Sequence, residues 1–213
     1  MAILEEISSF LQKGRLPKVK ELVNQALEEN IPAKDILEQG LLAGMDIIGE
    51  KFKNNEIFVP EVLIAARAMN GGVEILKPYL TQAGVEKKGT VVIGTVKGDL
   101  HDIGKNLVKM MMEGKGLEVV DLGVDVSPEA YIAAAKEHNA DIIACSALLT
   151  TTMVEMKNVV EQVKASDLNG KVKIMIGGAP VTDSYREAIG ADYYTPDAAT
   201  ASDVALEICS ANK

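Results

Sequence analysis

The spacing of apolar residues changes once along this chain of 213 residues, and the change limits the folds that it can form. Through residues 1–80, apolar side chains recur every three or four positions, which is the period of an amphipathic helix. Pro17, Pro32 and Pro60 stand near the starts of three helical stretches, where proline is tolerated. This part therefore predicts four helices with short connections, which make a bundle.

From Thr90 onward, short apolar runs alternate with helical stretches. The runs are 90–96, 117–122, 141–145, 172–176 and, more weakly, 192–195. Such alternation predicts an α/β fold, a doubly wound (flavodoxin-like) parallel sheet of five strands with helices on both faces. The polar, glycine-containing segment 81–89 predicts a linker. We expect a four-helix domain in residues 1–80 and a sheet domain in residues 90–213.

The charge and the cysteines exclude several classes of partner. The net charge is -9 and neither half has a basic stripe, so we expect no nucleic-acid partner. No apolar stretch reaches the roughly 20 residues that span a bilayer, and the first residues lack the features of a secretory signal. Cys145 and Cys209 lie far apart and belong to no CxxC pair. We expect a soluble protein of the reducing cytoplasm, without a membrane partner.

A histidine lies between two aspartates just after the first predicted strand, at Asp99, His101 and Asp102, and a helix is predicted over 105–112. Ligands of open parallel sheets bind at the carboxyl ends of the strands. Asp99 can accept the second ring N–H of His101, as carboxylates do for histidines that ligate metals. The other histidine, His138, lies far along the chain, so a closed zinc site is excluded. A metal held by one imidazole must bring its own macrocycle.

Three predicted loops, 97–104, 146–152 and 177–182, converge at this edge if the first strand lies beside the third. Each loop by itself also has an ordinary structural explanation: a satisfied polar histidine, a capping Ser/Thr run, or a glycine turn. Together, at three of the five strand ends, they favour a shared ligand.

These motifs resemble the three-part signature of cobalamin-binding domains in which a histidine replaces the dimethylbenzimidazole base beneath cobalt. The matching residues are Asp99-x-His101-x-x-Gly104, Ser146-x-Leu148 and Gly177-Gly178. The preceding helical region resembles the cap module of corrinoid-dependent methyltransferases, including the middle modules of cobalamin-dependent methionine synthase. The resemblance covers almost the whole chain.

The resemblance implies a role for individual residues. His101 would be the lower axial ligand of cobalt and Asp99 its hydrogen-bond partner, while Thr152 stands where the family has a serine that extends the relay. The other cofactor contacts that it implies in this region are Gly98, Leu100, Asp102, Ile103, Ser146, Leu148, Thr150 and Ala198. Gly104, Gly177 and Gly178 would leave a slot for the nucleotide tail.

In the helical region, the resemblance assigns Phe52 and Val59 to the upper face of cobalt and also matches Glu38 and Met69. Helical spacing alone favours another explanation, in which Phe52, Val59 and Met69 are ordinary bundle core. An apolar cover over the metal would shield a reactive methyl–cobalt bond from water.

The function that the resemblance implies is that of a methyl carrier, which cycles between cobalt(I) and methyl-cobalt(III) in the base-off/His-on form. Its partners would be a substrate-specific methyltransferase, a second methyltransferase that serves the acceptor, and a reductive activator. We expect no catalysis by the chain alone, and the sequence identifies neither methyl donor nor acceptor. The alternatives are a corrinoid-binding sensor, the small subunit of a mutase, and a doubly wound domain that binds no corrinoid.

Overall fold

The computed structural model, which describes residues 2–82 and 87–211, divides the chain into two units. The first comprises Met1–Glu86 and Gly114–Gly116, and the second comprises Lys87–Glu113 and Leu117–Lys213. None of the described helices is both long enough and apolar enough to cross a membrane.

The first unit is helical, as the spacing predicts. Its elements are α1 (Ala2–Gln12), α2 (Leu16–Glu28), α3 (Ala33–Asp35), a π-helical segment (Ile36–Leu42), α4 (Ala43–Lys53) and α5 (Val59–Gln82). Glycines let α1 approach closely: a Cβ on Gly40 would lie 3.1 Å from Ile7, and one on Gly44 would lie 3.1 Å from the Cα of Ser8. The helix predicted to begin near Pro32 is present, but it changes from α to π geometry and back along its length.

The segment predicted as a linker, 81–89, differs from that expectation at its start. Helix α5 continues to Gln82, two residues into the segment. Residues 83–86 lie outside the described residues, and 87–89 precede the first strand.

The second unit alternates strands with helices. Its elements are β1 (Thr90–Thr95), α6 (Ile103–Gly114), β2 (Glu118–Asp121), α7 (Pro128–Glu137), β3 (Ile142–Ser146), α8 (Met153–Lys164), β4 (Lys173–Gly177), α9 (Asp183–Ile189), β5 (Tyr193–Tyr194) and α10 (Ala198–Ala211). All strand pairs are parallel and the strand order is β2-β1-β3-β4-β5. The predicted five-stranded sheet is confirmed, and so is the placement of the first strand beside the third.

Successive residues of the central strands point to opposite faces of the sheet, and both faces are covered. On one face, Val92 belongs to an apolar cluster with Tyr131 of α7 and Met156 of α8. On the other, Val91 belongs to a cluster with Met112 of α6, which α10 also joins. Every residue of β1 is buried, so we expect the side chains that meet a ligand in the segment after its carboxyl end.

Candidate functional site

The site is built from the loops that follow β1, β3 and β4, three neighbouring strands. These loops span 96–102, 147–152 and 178–182. The register pairs Thr95 with Ser146 and Ser146 with Gly177, so the three strands end at the same level. The convergence that the sequence predicts is therefore present.

Asp99 is the centre of the hydrogen bonding at this edge. Its side chain is completely buried. One oxygen, Oδ1, accepts from the backbone N–H of His101 (3.1 Å) and lies 2.7 Å from Nδ1 of the same residue. The other, Oδ2, accepts from the backbone N–H groups of Leu148 (2.8 Å) and Leu149 (3.2 Å) and from the Thr152 hydroxyl (2.8 Å). These five contacts replace the water that a buried carboxylate loses.

The same contacts fix the protonation state of the pair. Burial alone raises the pKa of Asp99, but the hydrogen bonds from the His101 side chain, the Leu148 and His101 backbone and the Thr152 hydroxyl outweigh it and hold the pKa well below its ordinary value. Asp99 is thus an ionised acceptor at neutral pH. The proton between the two residues must therefore be on Nδ1 of His101, and in the neutral ring this leaves Nε2 with a lone pair.

His101 is held at its backbone carbonyl and at Nδ1, while its ring stays accessible to water. The Thr95 hydroxyl donates to the His101 carbonyl at 2.8 Å, and Asp99 holds the ring at Nδ1. The side chain is 51% exposed. Among the described residues, Nε2 has no hydrogen-bond partner. This arrangement, one ring nitrogen oriented by a carboxylate and the other open, is the usual one for a histidine that ligates a metal.

Thr152 lies at the end of this chain of contacts and is buried. Its hydroxyl has one hydrogen and two acceptors within reach, Oδ2 of Asp99 at 2.8 Å and the carbonyl of Leu149 at 2.9 Å. The γ-methyl group, which a serine lacks, lies 3.6 Å from the position that a Cβ on Gly98 would take. The hydroxyl can therefore turn between two acceptors without losing its only hydrogen bond.

Large apolar side chains at this edge of the sheet face water. The exposed ones of the second unit are Leu100, Ile103, Leu148, Leu149 and Val154, all of which lie in or next to the loops after β1 and β3. Leu100 is 71% exposed and Ile103 is 78% exposed. Concentrated exposure of this kind marks a surface for a ligand or a partner.

The three glycines assigned to the slot differ in what they leave open. A Cβ on Gly104 would have no atom within 4 Å, so space is open beside the first turn of α6. A Cβ on Gly177 would lie 3.4 Å from the carbonyl oxygen of Thr195. Gly178 has a φ of +133°, and a Cβ there would collide with the backbone of Ala147. Gly178 is thus required by the close approach of two loops, whatever the ligand.

The remaining predicted residues of the second unit differ in exposure. Asp102 and Thr150 are exposed, Ser146 is half-buried at the end of β3, and Ala198 is buried at the start of α10. The Asp102 carboxylate accepts from the Asn106 side-chain amide at 3.0 Å, and the Asp102 carbonyl accepts from the Asn106 backbone N–H at 2.8 Å. These two bonds tie the loop to α6.

The candidate residues of the first unit have no comparable polar contacts. Phe52 and Val59 are half-buried, and Met69 is buried. Glu38 is exposed and belongs to the π-helical segment. Short π-helical stretches inside α-helices are often found at functional sites.

Sequence reasoning missed several residues that hold the site. Thr95 donates its hydroxyl to the His101 carbonyl, and Leu149 donates its backbone N–H to the Asp99 carboxylate. Asp125, from the loop after β2, accepts from the backbone N–H of Gly98 at 2.7 Å. Thr95 could have been found as the last polar residue of a buried strand, whereas a backbone donor such as Leu149 has no side-chain signal.

Among residues 2–82 and 87–211, no three or more His, Cys, Asp or Glu side chains are grouped so that they could hold a metal ion. The site therefore offers one imidazole and an apolar surface. This donor set suits a metal that arrives with its equatorial ligands and does not suit a bare zinc ion.

Two family models match the chain, and each is described as a B12 binding domain. One matches residues 89–205 and the other residues 3–77. Dimethylamine corrinoid protein 3 of Methanosarcina acetivorans is 43% identical over 207 residues, which cover 97% of this chain and 96% of the relative. A corrinoid protein of Desulfitobacterium hafniense is 38% identical over 211 residues, 98% of each chain.

A solved structure is also similar. A chain in the crystal structure of the methanol:cobalamin methyltransferase complex MtaBC from Methanosarcina barkeri matches with a TM-score of 0.88 and 30% identity. The match covers 98% of this chain and 80% of that chain.

Proposed function

This chain belongs to the B12-binding corrinoid proteins of methyltransferase systems, and from that premise we propose that it carries a methyl group on the cobalt of a bound corrinoid between two methyltransferases. The proposal includes the cycle between two oxidation states of cobalt and the replacement of the corrinoid's own lower base by His101. When bound, the corrinoid supplies a cobalt centre that can accept and release a methyl group.

One observation carries the proposal: a half-exposed imidazole whose Nδ1 is held by a buried carboxylate and whose Nε2 has no partner among the described residues. The surrounding surface fits the same group. Exposed Leu100 and Leu148 offer apolar contact for a flat macrocycle, and the open space at Gly104 offers room for a displaced nucleotide tail. Gly98, Asp102, Ile103, Ser146, Thr150, Gly177, Gly178 and Ala198 are proposed as further contacts.

The residues of the second unit have distinct tasks in this proposal. His101 would hold the metal through Nε2, because its Nδ1 proton is directed to Asp99. Asp99 would keep the ring of His101 in the same orientation whether or not a metal is bound, because its Oδ1 stays within 2.7 Å of Nδ1. Thr152 can redirect its hydroxyl to the carbonyl of Leu149, so the contacts of Asp99 can change without leaving a buried O–H unsatisfied.

The first unit, in this proposal, would shield the bound corrinoid from water. Phe52 and Val59 are half-buried apolar groups that can exclude water from a reactive alkyl group, and Glu38 and Met69 are proposed to support that cover. We propose the cap as residues 1–80 and the corrinoid-binding domain as residues 90–213.

A substrate-specific methyltransferase is the partner that the similarity to MtaBC supports. The second methyltransferase and a reductive activator are further partners that we propose. Cys145 and Cys209 are buried thiols that form no disulfide, which fits the reducing cytoplasm. The sensor hypothesis is not favoured, since the named relatives are corrinoid proteins and a methyltransferase complex.

The test compares His101→Ala with His138→Ala, which removes the other histidine of the chain at an exposed position after α7. Each apo protein is titrated with methylcobalamin, and binding and the absorption spectrum are recorded. We expect His101→Ala to bind at least about tenfold more weakly, since even outer partners of metal ligands contribute that much. Its bound cobalamin should show the spectrum of a water ligand, whereas His138→Ala should match the wild type.

Unchanged binding and an unchanged spectrum in His101→Ala would overturn the ligand assignment. A wild-type protein that binds no corrinoid would overturn the proposed function itself. Methyl transfer from the loaded protein to an added acceptor methyltransferase then separates a carrier from a sensor.

A further inference from the structure

The loop after β2, residues 122–127, runs alongside the end of β1 and is bonded to it. Leu122 donates its N–H to the carbonyl of Ile93 at 2.8 Å. Thr95 donates to the carbonyl of Gly123 at 2.9 Å and accepts from the N–H of Val126 at 3.0 Å. Thr95, whose hydroxyl contacts the His101 carbonyl, is thus held in place by the loop after β2.

The start of this loop is anchored to α6 by an ion pair. The Lys105 side chain is buried and donates to Oδ1 of Asp121 at 2.5 Å, and Lys109 donates to Oδ2 at 3.3 Å. Asp121 also accepts from the N–H of Gly123 at 2.9 Å. Burial raises the pKa of Asp121, but the hydrogen bonds from Lys105 and Gly123 and the charges of Lys105 and Lys109 lower it overall.

Asp125 lies within the loop and contacts the segment before His101 twice. Its carboxylate Oδ1 accepts from the N–H of Gly98 at 2.7 Å, and its own N–H donates to the carbonyl of Asp99 at 3.0 Å. Asp125 has a φ of +55°, a left-handed conformation that Asp and Asn tolerate better than other side chains do. This conformation lets one residue reach Gly98 and Asp99 together.

We infer that Asp125 is a positioning residue for His101: it fixes the backbone of Gly98 and Asp99 on the side opposite to the loop after β3. Asp99 is then held at its carbonyl by Asp125 and at its carboxylate by Leu148, Leu149 and Thr152. Without the hydrogen bond from Asp125, the backbone of Asp99 could shift. The contacts of its carboxylate would then no longer hold the imidazole in one place. The inference rests on the proposed function for what His101 ligates, but the contacts themselves do not.

The test uses two substitutions that both tolerate the positive φ. Asp125→Asn keeps an acceptor for Gly98 and removes the charge, whereas Asp125→Gly keeps only the backbone N–H. Asn139→Gly is the matched control, because Asn139 has a φ of +49° and lies beyond α7, away from this loop. Each full-length protein is titrated with methylcobalamin, and the absorption spectrum reports whether imidazole or water lies beneath cobalt.

We expect Asp125→Gly to weaken binding about tenfold, the lower end of the effect of changing an outer partner of a metal ligand, and to raise the fraction of water-ligated cobalamin. Asp125→Asn should restore both values to within about twofold of the wild type, because it keeps the acceptor. In the apo proteins, amide hydrogen exchange at Gly98 and His101 should be several-fold faster in Asp125→Gly than in Asp125→Asn.

Wild-type binding and spectrum in Asp125→Gly would overturn the inference, as would equal losses in the Gly and Asn variants or a loss of the same size in Asn139→Gly. Failure of Asp125→Gly to fold, seen by circular dichroism, would also overturn it, because Asp125 would then support the whole unit. If the wild type binds no corrinoid, the proposed function fails, and hydrogen exchange in the apo variants still decides whether Asp125 holds the loop.

Discussion

The two units hold their candidate cofactor residues by different physical means. In the second unit, His101 is oriented by a buried carboxylate that accepts hydrogen bonds from two loops. In the first unit, Phe52, Val59 and Met69 are apolar groups whose position depends on packing. Directional contacts specify a geometry to a fraction of an ångström, whereas apolar packing specifies mainly volume and exclusion of water.

This difference suits the tasks that we propose for the two units. An axial ligand must present one nitrogen with a defined tautomer, which only hydrogen bonds can fix. A cover over a reactive metal face must keep water out, and several apolar side chains can do so. Substitutions in the two units should therefore fail in different ways.

The largest expected effect is that of Asp99→Ala. It removes a completely buried acceptor and leaves the backbone N–H groups of His101, Leu148 and Leu149 without it, so we expect a loss of about 4 kcal/mol in the free energy of unfolding. Urea denaturation of the apo protein measures it. Asp102→Ala, at an exposed carboxylate, should cost less than about 1 kcal/mol. Equal losses in the two variants would contradict the central role of Asp99.

The pH dependence of stability tests the same carboxylate. The pKa of Asp99 in the folded protein lies below its ordinary value of 3.8, so the contribution of this group to stability is complete above pH 3.8 and is lost as the pH falls toward the folded pKa. Wild-type stability should therefore fall below about pH 4 more steeply than that of Asp99→Asn, in which this group does not titrate. Parallel curves for the two proteins below pH 4 would contradict the assigned shift.

Met69→Ala tests the packing of the first unit. Met69 is buried, so the substitution leaves a cavity and should cost about 3 kcal/mol in the free energy of unfolding. Phe52→Ala removes a half-buried ring and should cost less stability, but it should let water or oxidants reach bound methylcobalamin faster. The measurements are urea denaturation and the decay of the methylcobalamin spectrum in light-protected samples. A larger stability loss in Phe52→Ala than in Met69→Ala would reverse the roles of the two residues.

The sequence predicts the sheet well because its strands are short, β-branched and buried on both sides. The edge strand is the weak point: 192–195 is expected, and only Tyr193–Tyr194 pair with β4. The π-helical segment is missed because a spacing of three to four residues was assumed. Ile36 and Leu41 are five residues apart and both buried, which is a spacing that π geometry allows.

The site is predictable to the extent that side-chain types specify it. Asp99, His101 and Thr152 lie together because a metal-ligating histidine needs a carboxylate, and a buried carboxylate needs donors. Asp125 has no such signal. Its role depends on a left-handed backbone conformation and on the path of a loop, and neither can be read from residue type.

The smallest expected effects come from two glycines of the predicted slot, and their signs should differ. Gly178→Ala places a Cβ against the backbone of Ala147 at a φ that alanine disfavours, so it should destabilise the apo protein by at least about 1 kcal/mol. Gly104→Ala lies in the first turn of α6 with open space around it and should stabilise the apo protein by about 0.5 kcal/mol.

Gly104→Leu then separates stability from binding at this position. It keeps the helix but fills the open space, so the apo protein should unfold at a urea concentration no lower than that of the wild type while its affinity for full-length cobalamin falls. A cobinamide, which lacks the nucleotide tail, should bind this variant and the wild type equally. Equal affinity of the wild type and Gly104→Leu for full-length cobalamin would place the tail elsewhere at the sheet edge, because an added side chain cannot share the volume of a bound nucleotide.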